Sequence, residues 1–336
     1  MSTIESRVDN ILNNKDNYSK FPEFPKKNLL IEVTNYCNNK CLFCANRKMT
    51  RKKSFINKKV VAKVLKECYN LGSVEVGFYA TGEPLISNKL EEYISMAKRI
   101  GYEYIYITTN GILANKERVN NLFENGLDSL KFSINALNKE KYKLIHGTDN
   151  FNLVIKNLDE AYRLKEKKYK NKKISVSYIT TKYTLESTEK IKEFFKGMSD
   201  EVIVNMARNQ GGLIKEIDYL VDVDNNIKPP CFYVFKSVNI TCEGYMTACC
   251  MDFQNYLAYA DIKKMSIKEA WNSNIITNLR KMHMQNNFEK TICSNCINGT
   301  INEVDPICAD LATKFDTYNL DLPYELKINH KGKEKM

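Results

Sequence analysis

Proline is scarce in this sequence, with 7 among 336 residues. Together with the mixed composition, that excludes collagen-like, low-complexity and disordered character for the bulk of the chain. A secretory start is also missing: Met1-Ser-Thr-Ile-Glu-Ser-Arg-Val-Asp9 has no basic segment followed by an apolar one. No run reaches the roughly 18 apolar residues that a membrane span needs. A cytoplasmic location and no membrane partner are therefore expected. Acidic residues are the minority, 40 against 51 Lys and Arg, for a formal charge of +11. An AT-rich genome, visible in the abundance of Asn, Lys and Ile, accounts for that excess without a polyanionic partner. No RNA-recognition signature is present, so nucleic acid is not expected as a partner.

What the sequence has in quantity is cysteine, 11 residues. A chain of this length needs no disulfide staples, and an odd count leaves one thiol over. In a reducing compartment such cysteines are metal ligands or redox groups more often than bridges. With 43% hydrophobic and 27% charged residues the chain reads as globular. It is long enough for one large domain, or a main domain with a small appendage.

Periodicity predicts strands over Leu29–Thr34, Val74–Tyr79, Glu103–Thr108, Asp128–Ile134, Lys173–Thr180 and Glu201–Met206. Helical patterns lie between them. One is capped by Asn57, with Val60, Val61, Val64 and Leu65 on a single face; another carries Phe151, Val154, Ile155, Leu158 and Tyr162. Six βα units in a row predict an α/β fold, a parallel sheet curled into a partial (β/α)6 TIM-like barrel. After Gly211-Gly212 the rhythm changes, and seven of the cysteines follow Pro229-Pro230. Val234–Thr241 and Tyr245–Cys249 read as a hairpin around Glu243-Gly244, and Ser266 as the cap of one helix running to about Met284. The expected organisation is an N-terminal extension over 1–28, a core over 29–212, a small cysteine-rich hairpin and helix subdomain over 213–309, and a frayed tail over 310–336.

The first chemical signal is Cys37-x3-Cys41-x2-Cys44, placed directly after the first strand. Three clustered thiolates could hold three irons of a 4Fe–4S cluster and leave the fourth open; zinc is the alternative, although it usually takes four ligands. Cys37-Asn-Asn-Lys-Cys41-Leu-Phe43-Cys44 resembles the signature of radical S-adenosylmethionine (SAM) enzymes. That resemblance implies an open iron chelating SAM, an electron that cleaves the sulfonium, and a 5′-deoxyadenosyl radical that abstracts hydrogen from a substrate. It implies a flavodoxin, ferredoxin or other reductase as electron donor, and places Phe43 near the adenine. Thr81-Gly82-Glu83-Pro84 resembles the family's GGEP, which meets the SAM amino group, with Thr81 in place of the first glycine. Thr108-Thr109-Asn110-Gly111 and Ser133-Ile-Asn135-Ala136 resemble segments near the SAM ribose and methionine. Gly82, Glu83, Pro84, Thr109, Asn110, Ser133 and Asn135 are thus the implied SAM contacts. These segments, with Tyr178-Ile-Thr180 and Arg208-Asn209-Gln210-Gly211, all fall at strand C-terminal ends, where barrel enzymes build their sites.

The second group is Cys231, then Gly244 followed four residues later by Cys249, and Cys293-Ser-Asn-Cys296. With Ala248-Cys-Cys-Met-Asp252 and Glu269-Ala-Trp271-Asn272, it resembles the auxiliary-cluster region of the SPASM/twitch subgroup. Asn302 stands where longer members carry a further cysteine, so the single-cluster form is implied, with Cys231, Cys249, Cys293 and Cys296 on one auxiliary 4Fe–4S cluster. A structural zinc on the same four thiols is the alternative, and Cys250 rivals Cys249. Cys68, Cys242, Cys250 and Cys308 remain; Cys68 reads as a small buried hydrophobe, and one of the others could supply hydrogen to a substrate radical. No general base is evident. Glu243 and Asp252 are candidates by proximity alone; His283 and His330 read as structural or solvated, and His146, before a glycine at a helix start, carries no specific signal.

Of two basic runs, Arg47–Lys53 follows the cysteine loop and could attract an anionic substrate, although a solvated loop is the commoner meaning; Lys165–Lys173 reads as a solvated helix end. The expected function is a radical SAM oxidoreductase acting on a small, carbohydrate-like or anionic molecule. Only 36 residues precede Cys37, which leaves little room for a peptide-binding domain there. Peptide maturation, cysteine-assisted epimerisation and a non-catalytic zinc protein are the competing expectations.

Overall fold

The computed structural model describes residues 18–214, 220, 229–300 and 302–314. His330, the tail beyond residue 314 and most of the N-terminal extension lie outside the described residues. Alternating elements open the fold: β1 (Leu29–Ile31), α1 (Lys58–Asn70), β2 (Glu75–Gly77), α2 (Leu90–Ile100), β3 (Tyr104–Thr109), α3 (Lys116–Glu124) and β4 (Ser129–Ser133). There follow α4 (Lys139–His146), α5 (Phe151–Lys168), β5 (Lys173–Thr180), α6 (Thr188–Phe194) and β6 (Glu201–Met206). The six strands are parallel and in sequential order, the expected partial barrel.

The local causes are visible in α1. Asn57 accepts from the Lys59 N–H at 2.8 Å, capping the first turn. Val61, Val64, Leu65 and Cys68 then recur on one face and are fully buried, each large aliphatic contributing about 1.5–3 kcal/mol. Alternation sorts the strands in the same way. Val76, Phe78, Ile105, Ile107, Leu130, Phe132, Ile174 and Val176 join the helices in one core. The alternate residues, among them Tyr79, Thr108, Lys131 and Ser175, therefore face the concave side.

The remaining elements are α7 (Phe232–Lys236), β7 (Val238–Ile240), β8 (Tyr245–Thr247), β9 (Ala258–Asp261), α8 (Ile267–Trp271), α9 (Asn274–Met284) and α10 (Ile292–Asn298). Three expectations need correction. Val234 and Phe235 are helical, and the hairpin's first strand begins at Val238. The helix capped by Ser266 breaks after Trp271, and a second begins at Asn274. The hairpin is also no separate appendage: β7 pairs parallel to β1, so β7, β8 and β9 extend the barrel sheet to nine strands. Gly244 turns the hairpin at φ +85°, a conformation that favours glycine.

The chain just before β1 straps onto this region rather than projecting from it. Tyr18 packs on Phe235 and Phe24 on Trp271, whose indole N–H donates to the Pro22 carbonyl. Arg280 lies fully buried beneath, 4.0 Å from the Trp271 ring and donating to the Trp271 carbonyl.

Candidate metal and cofactor site

The cysteine loop leaves β1 and is held at two ends. Backbone bonds from Lys40 N–H to the His146 carbonyl (3.0 Å) and from Leu42 N–H to the Ile145 carbonyl (2.9 Å) tie it to the end of α4. On the other side Gly82 lies against it so closely that a Cβ there would sit 2.6 Å from the Tyr36 carbonyl oxygen. The glycine thus admits the chain's own loop backbone, where a ligand approach was expected.

Glu83, next in the chain, gathers the implied SAM contacts. Its carboxylate accepts from the Thr109 hydroxyl at 2.7 Å, the Asn110 N–H at 2.7 Å and the Leu85 N–H at 3.0 Å. Burial raises its pKa to about 7 against these bonds. The Asn110 amide reaches Asn38 in the cysteine loop at 2.6 Å. Gly82, Glu83, Pro84, Thr109 and Asn110 therefore meet the loop at the carboxyl ends of β2 and β3. Phe43 is buried among Leu42, Ile145 and Ala207, so its side chain packs. Ser133 ends β4 half-buried, and the Asn135 side chain is engaged internally, accepting from the Ile179 N–H at 2.7 Å.

His146, which the sequence did not single out, is the pivot of this corner. It ends α4 rather than starting a helix, and it is buried. Its Nε2 accepts from the Asn135 N–H at 3.1 Å, and its Nδ1 stands between the Asn39 side-chain amide at 3.2 Å and the Cys41 sulfur at 3.4 Å. Burial lowers its pKa to about 3, so the ring is neutral at physiological pH. A histidine on the buried Tyr142–Ile145 face of a helix was the available signal.

The basic run after Cys44 is not a solvated loop throughout. Arg51 is buried, ion-paired at 2.6 Å to Glu32 on the strand side and at 2.5 Å to Glu243 at the hairpin turn. Glu32 also accepts from Thr81 and from the Cys242 N–H, so one carboxylate joins the Thr81–Pro84 segment, Arg51 and the hairpin. This explains a hydroxyl at position 81, and it removes Glu243 as a general base, since Arg51 holds its carboxyl below the usual range. Lys53 donates to the Asn35 carbonyl and Asn46. Asp252 caps its own turn, accepting from Thr247, Tyr256 and Leu257. In the second run Lys165 is likewise buried, between Glu166 and Asp200.

Cys231, Cys249, Cys293 and Cys296 line one cavity of about 440 Å³, walled otherwise by Gly211, Val234, Met251, Leu257, Ile292 and other apolar side chains. Cys250 does not line it. That residue faces a second cavity of about 240 Å³, shared with Cys249, Leu30, Glu32, Arg51 and Thr81. Cys242 lies beside Ser54 and Arg51, outside the first cavity, and Cys68 is buried on α1.

The donor sets suit iron–sulfur clusters. All eleven thiols are free, and burial with mutual repulsion drives the Cys41 and Cys293 pKa values up while burial takes Cys37 to about 12 and Cys231 to about 11. These shifts leave neutral thiols, and only a bound metal would hold them as the soft thiolate ligands that a cluster takes. Among the described residues no three cysteine sulfurs lie within 4.8 Å of one another. A single tetrahedral zinc would need its sulfurs about 3.8 Å apart, closer than either set brings three of them. The acid and thiol group that does lie within 4.8 Å, Glu32, Cys242 and Glu243, encloses Arg51.

A parallel partial barrel with a three-cysteine loop after its first strand and a four-thiol cavity beside its sheet has the donor sets of an iron–sulfur protein. The chain belongs to the Radical SAM superfamily, whose model matches residues 31–196, and it carries an iron–sulfur cluster-binding domain of the SPASM type over residues 231–297. Its cofactors are a 4Fe–4S cluster, SAM and an auxiliary iron–sulfur cluster. Among curated proteins, a probable GTP 3′,8-cyclase of Saccharolobus islandicus is 33% identical over 140 residues, 41% of this chain and 44% of that protein. The chain thus spans under half the length of the cyclases it matches. An uncharacterized Methanocaldococcus jannaschii protein is 28% identical over 240 residues, 66% of this chain and 75% of its own. Solved structures share the fold at low identity. Streptococcus suis SuiB bound to precursor peptide SuiA aligns with TM-score 0.60 at 16% identity, over 77% of this chain and 67% of that one. BtrN in complex with AdoMet and 2-DOIA aligns with TM-score 0.54 at 18% identity, over 83% and 96%. Among the described residues no helix is long and apolar enough to cross a membrane.

Proposed function

We propose that Cys37, Cys41 and Cys44 hold the SAM-binding cluster, that Cys231, Cys249, Cys293 and Cys296 hold a single auxiliary 4Fe–4S cluster, and that the enzyme oxidises a polar, carbohydrate-like small molecule. When bound, these groups supply hydrogen-atom abstraction and an acceptor for the surplus electron left by a two-electron oxidation. The chain's own residues arrange that chemistry. Glu83, fixed by Thr109 and Asn110, presents a carboxylate for the SAM ammonium. His146 and Asn135 set the Cys41 side of the loop. Four thiolates leave no open iron at the second site, which suits electron transfer rather than substrate ligation.

The observation that carries this reading is the Cys249-Cys250 turn. Cys249 lines the four-thiol cavity, and both residues line the neighbouring cavity that contains Thr81 and Glu32. The Cys249-Cys250 turn thus links the four-thiol cavity to one that reaches the Thr81–Pro84 segment, which supports a substrate placed between the two cluster sites. The low-potential electron enters from a flavodoxin, ferredoxin or comparable reductase.

Anaerobic reconstitution and a panel of aminocyclitols, sugars and alditols test it. Product and 5′-deoxyadenosine are expected in equal amounts, with two electrons lost per substrate. Solvent deuterium at carbon without net oxidation, or turnover of peptides alone, would contradict it.

A further inference from the structure

One row of residues crosses the concave face of the sheet at a single level. Thr108 on β3 is in register with Lys131 on β4, Lys131 with Ser175 on β5, and Ser175 with Glu201 on β6. Registered residues of parallel strands point to the same side, and Leu130 and Phe132 occupy the other side. Lys131 forms no ion pair and no hydrogen bond among the described residues; its ammonium lies 5.8 Å from the Tyr79 ring centroid. Of the hydroxyl oxygens on either side of it, Ser175 Oγ is buried and without a partner, and Thr108 Oγ1 is buried with the Tyr79 hydroxyl as its neighbour.

An unpaired cation beside a partnerless buried hydroxyl on the adjacent strand is a costly arrangement. An unsatisfied buried hydroxyl forfeits about 1–3 kcal/mol, and buried polar groups ordinarily find partners. Lys131 is further penalised by burial, which lowers its pKa, with Glu201 opposing. The basic run after Cys44 offers no such site, because Arg51 is already compensated by two carboxylates.

We propose that this row is the substrate anchor, and that it takes an oxyanion, a carboxylate or phosphate group, with Lys131 supplying the charge and Thr108 and Ser175 neutral hydrogen bonds. The inference deepens the reading above and rests on it: the substrate bears an anionic group held on the barrel wall. Lys131 is a specificity determinant in this account. Neutral analogues with the same hydroxyl pattern then bind more weakly.

The test uses the cluster-reconstituted full chain saturated with SAM. Inorganic phosphate and acetate are titrated separately by calorimetry. Wild-type protein is expected to bind at least one of them saturably; the tighter of the two names the source of the anion. K131M should weaken that binding at least tenfold, K131R should retain it within about threefold, and T108V and S175A should each weaken it a few-fold. Unchanged cluster absorbance in each variant shows that assembly is intact. Equal titrations for wild type and K131M, or saturable binding of neither anion by wild type, overturn the anchor. Iron content and dithionite-driven SAM cleavage, measured on wild type alone, test the underlying reading separately.

Discussion

Cys37, Cys41 and Cys44 lie on one short loop, among Asn38, Asn39, His146 and Lys53, with amides and an imidazole at hydrogen-bond distance from the loop. Cys231, Cys249, Cys293 and Cys296 come from the head of α7, the turn after β8 and α10, and they enclose an apolar cavity. The first group is therefore a property of a local segment, and the second exists only when the hairpin and helices are folded. Open coordination and polar surroundings suit a site that must bind a charged sulfonium amino acid. Full thiolate ligation in an apolar wall suits a site that only exchanges electrons.

Removing a ligand from each side separates the two most strongly. C41A should lose about four irons per chain and abolish SAM cleavage, whereas a C293A/C296A double variant should lose about four irons while dithionite-driven SAM cleavage persists. Iron analysis with 5′-deoxyadenosine assay checks both, and equal loss of cleavage in the two variants would break the distinction.

The two regions are joined by Arg51 between Glu32 and Glu243. R51M leaves two carboxylates uncompensated, one of them deeply buried, and should cost about 3–5 kcal/mol in chemical denaturation. A change below about 1 kcal/mol would mean that the hairpin holds to the barrel by strand pairing alone.

Glu83 gives the SAM side a pH signature. Its folded pKa of about 7 lies above the ordinary 4.5, so its contribution is fully present below pH 4.5 and is lost as pH rises through 7. Reconstituted protein without SAM should therefore lose on the order of 2–3 kcal/mol between pH 5 and pH 8 from this group. E83Q should flatten that slope, and added SAM should oppose it by favouring the carboxylate. Denaturation curves at the two pH values decide this.

The smallest effect belongs to His146. A polar imidazole 3.4 Å from the Cys41 sulfur stabilises the reduced, more negative cluster better than an apolar ring there. H146F should lower the midpoint potential of the first cluster by on the order of tens of millivolts and leave the second unchanged. Potentiometric titration monitored by electron paramagnetic resonance reads both.

Much of the architecture was legible because it is local. The periods of Lys173–Thr180 and Glu201–Met206 match the strands end to end, and Asn57 caps the helix that its spacing suggested. The cysteine spacings carried the cofactors for the same reason. What escaped depended on partners distant in sequence. Arg51 reads as one cation in a basic run until Glu32 and Glu243 close on it. Phe235 reads as a strand residue, but Tyr18 packs on it and the segment winds into a helix. The pairing of β7 with β1, which merges the hairpin into the barrel sheet, left no mark in either strand. Lys131 was hidden differently: its parity opposite Leu130 and Phe132 placed it in the lumen, but a strand lysine attracts attention only once a neighbouring hydroxyl proves unsatisfied.

The central claim is that one chain carries two clusters with different duties, and electron paramagnetic resonance of the reduced, reconstituted protein with and without SAM tests it most directly. About eight irons per chain and two reduced-cluster signals are expected, with SAM shifting one of them and leaving the other in place. About four irons with a single signal, or two signals that SAM leaves alike, would contradict the account.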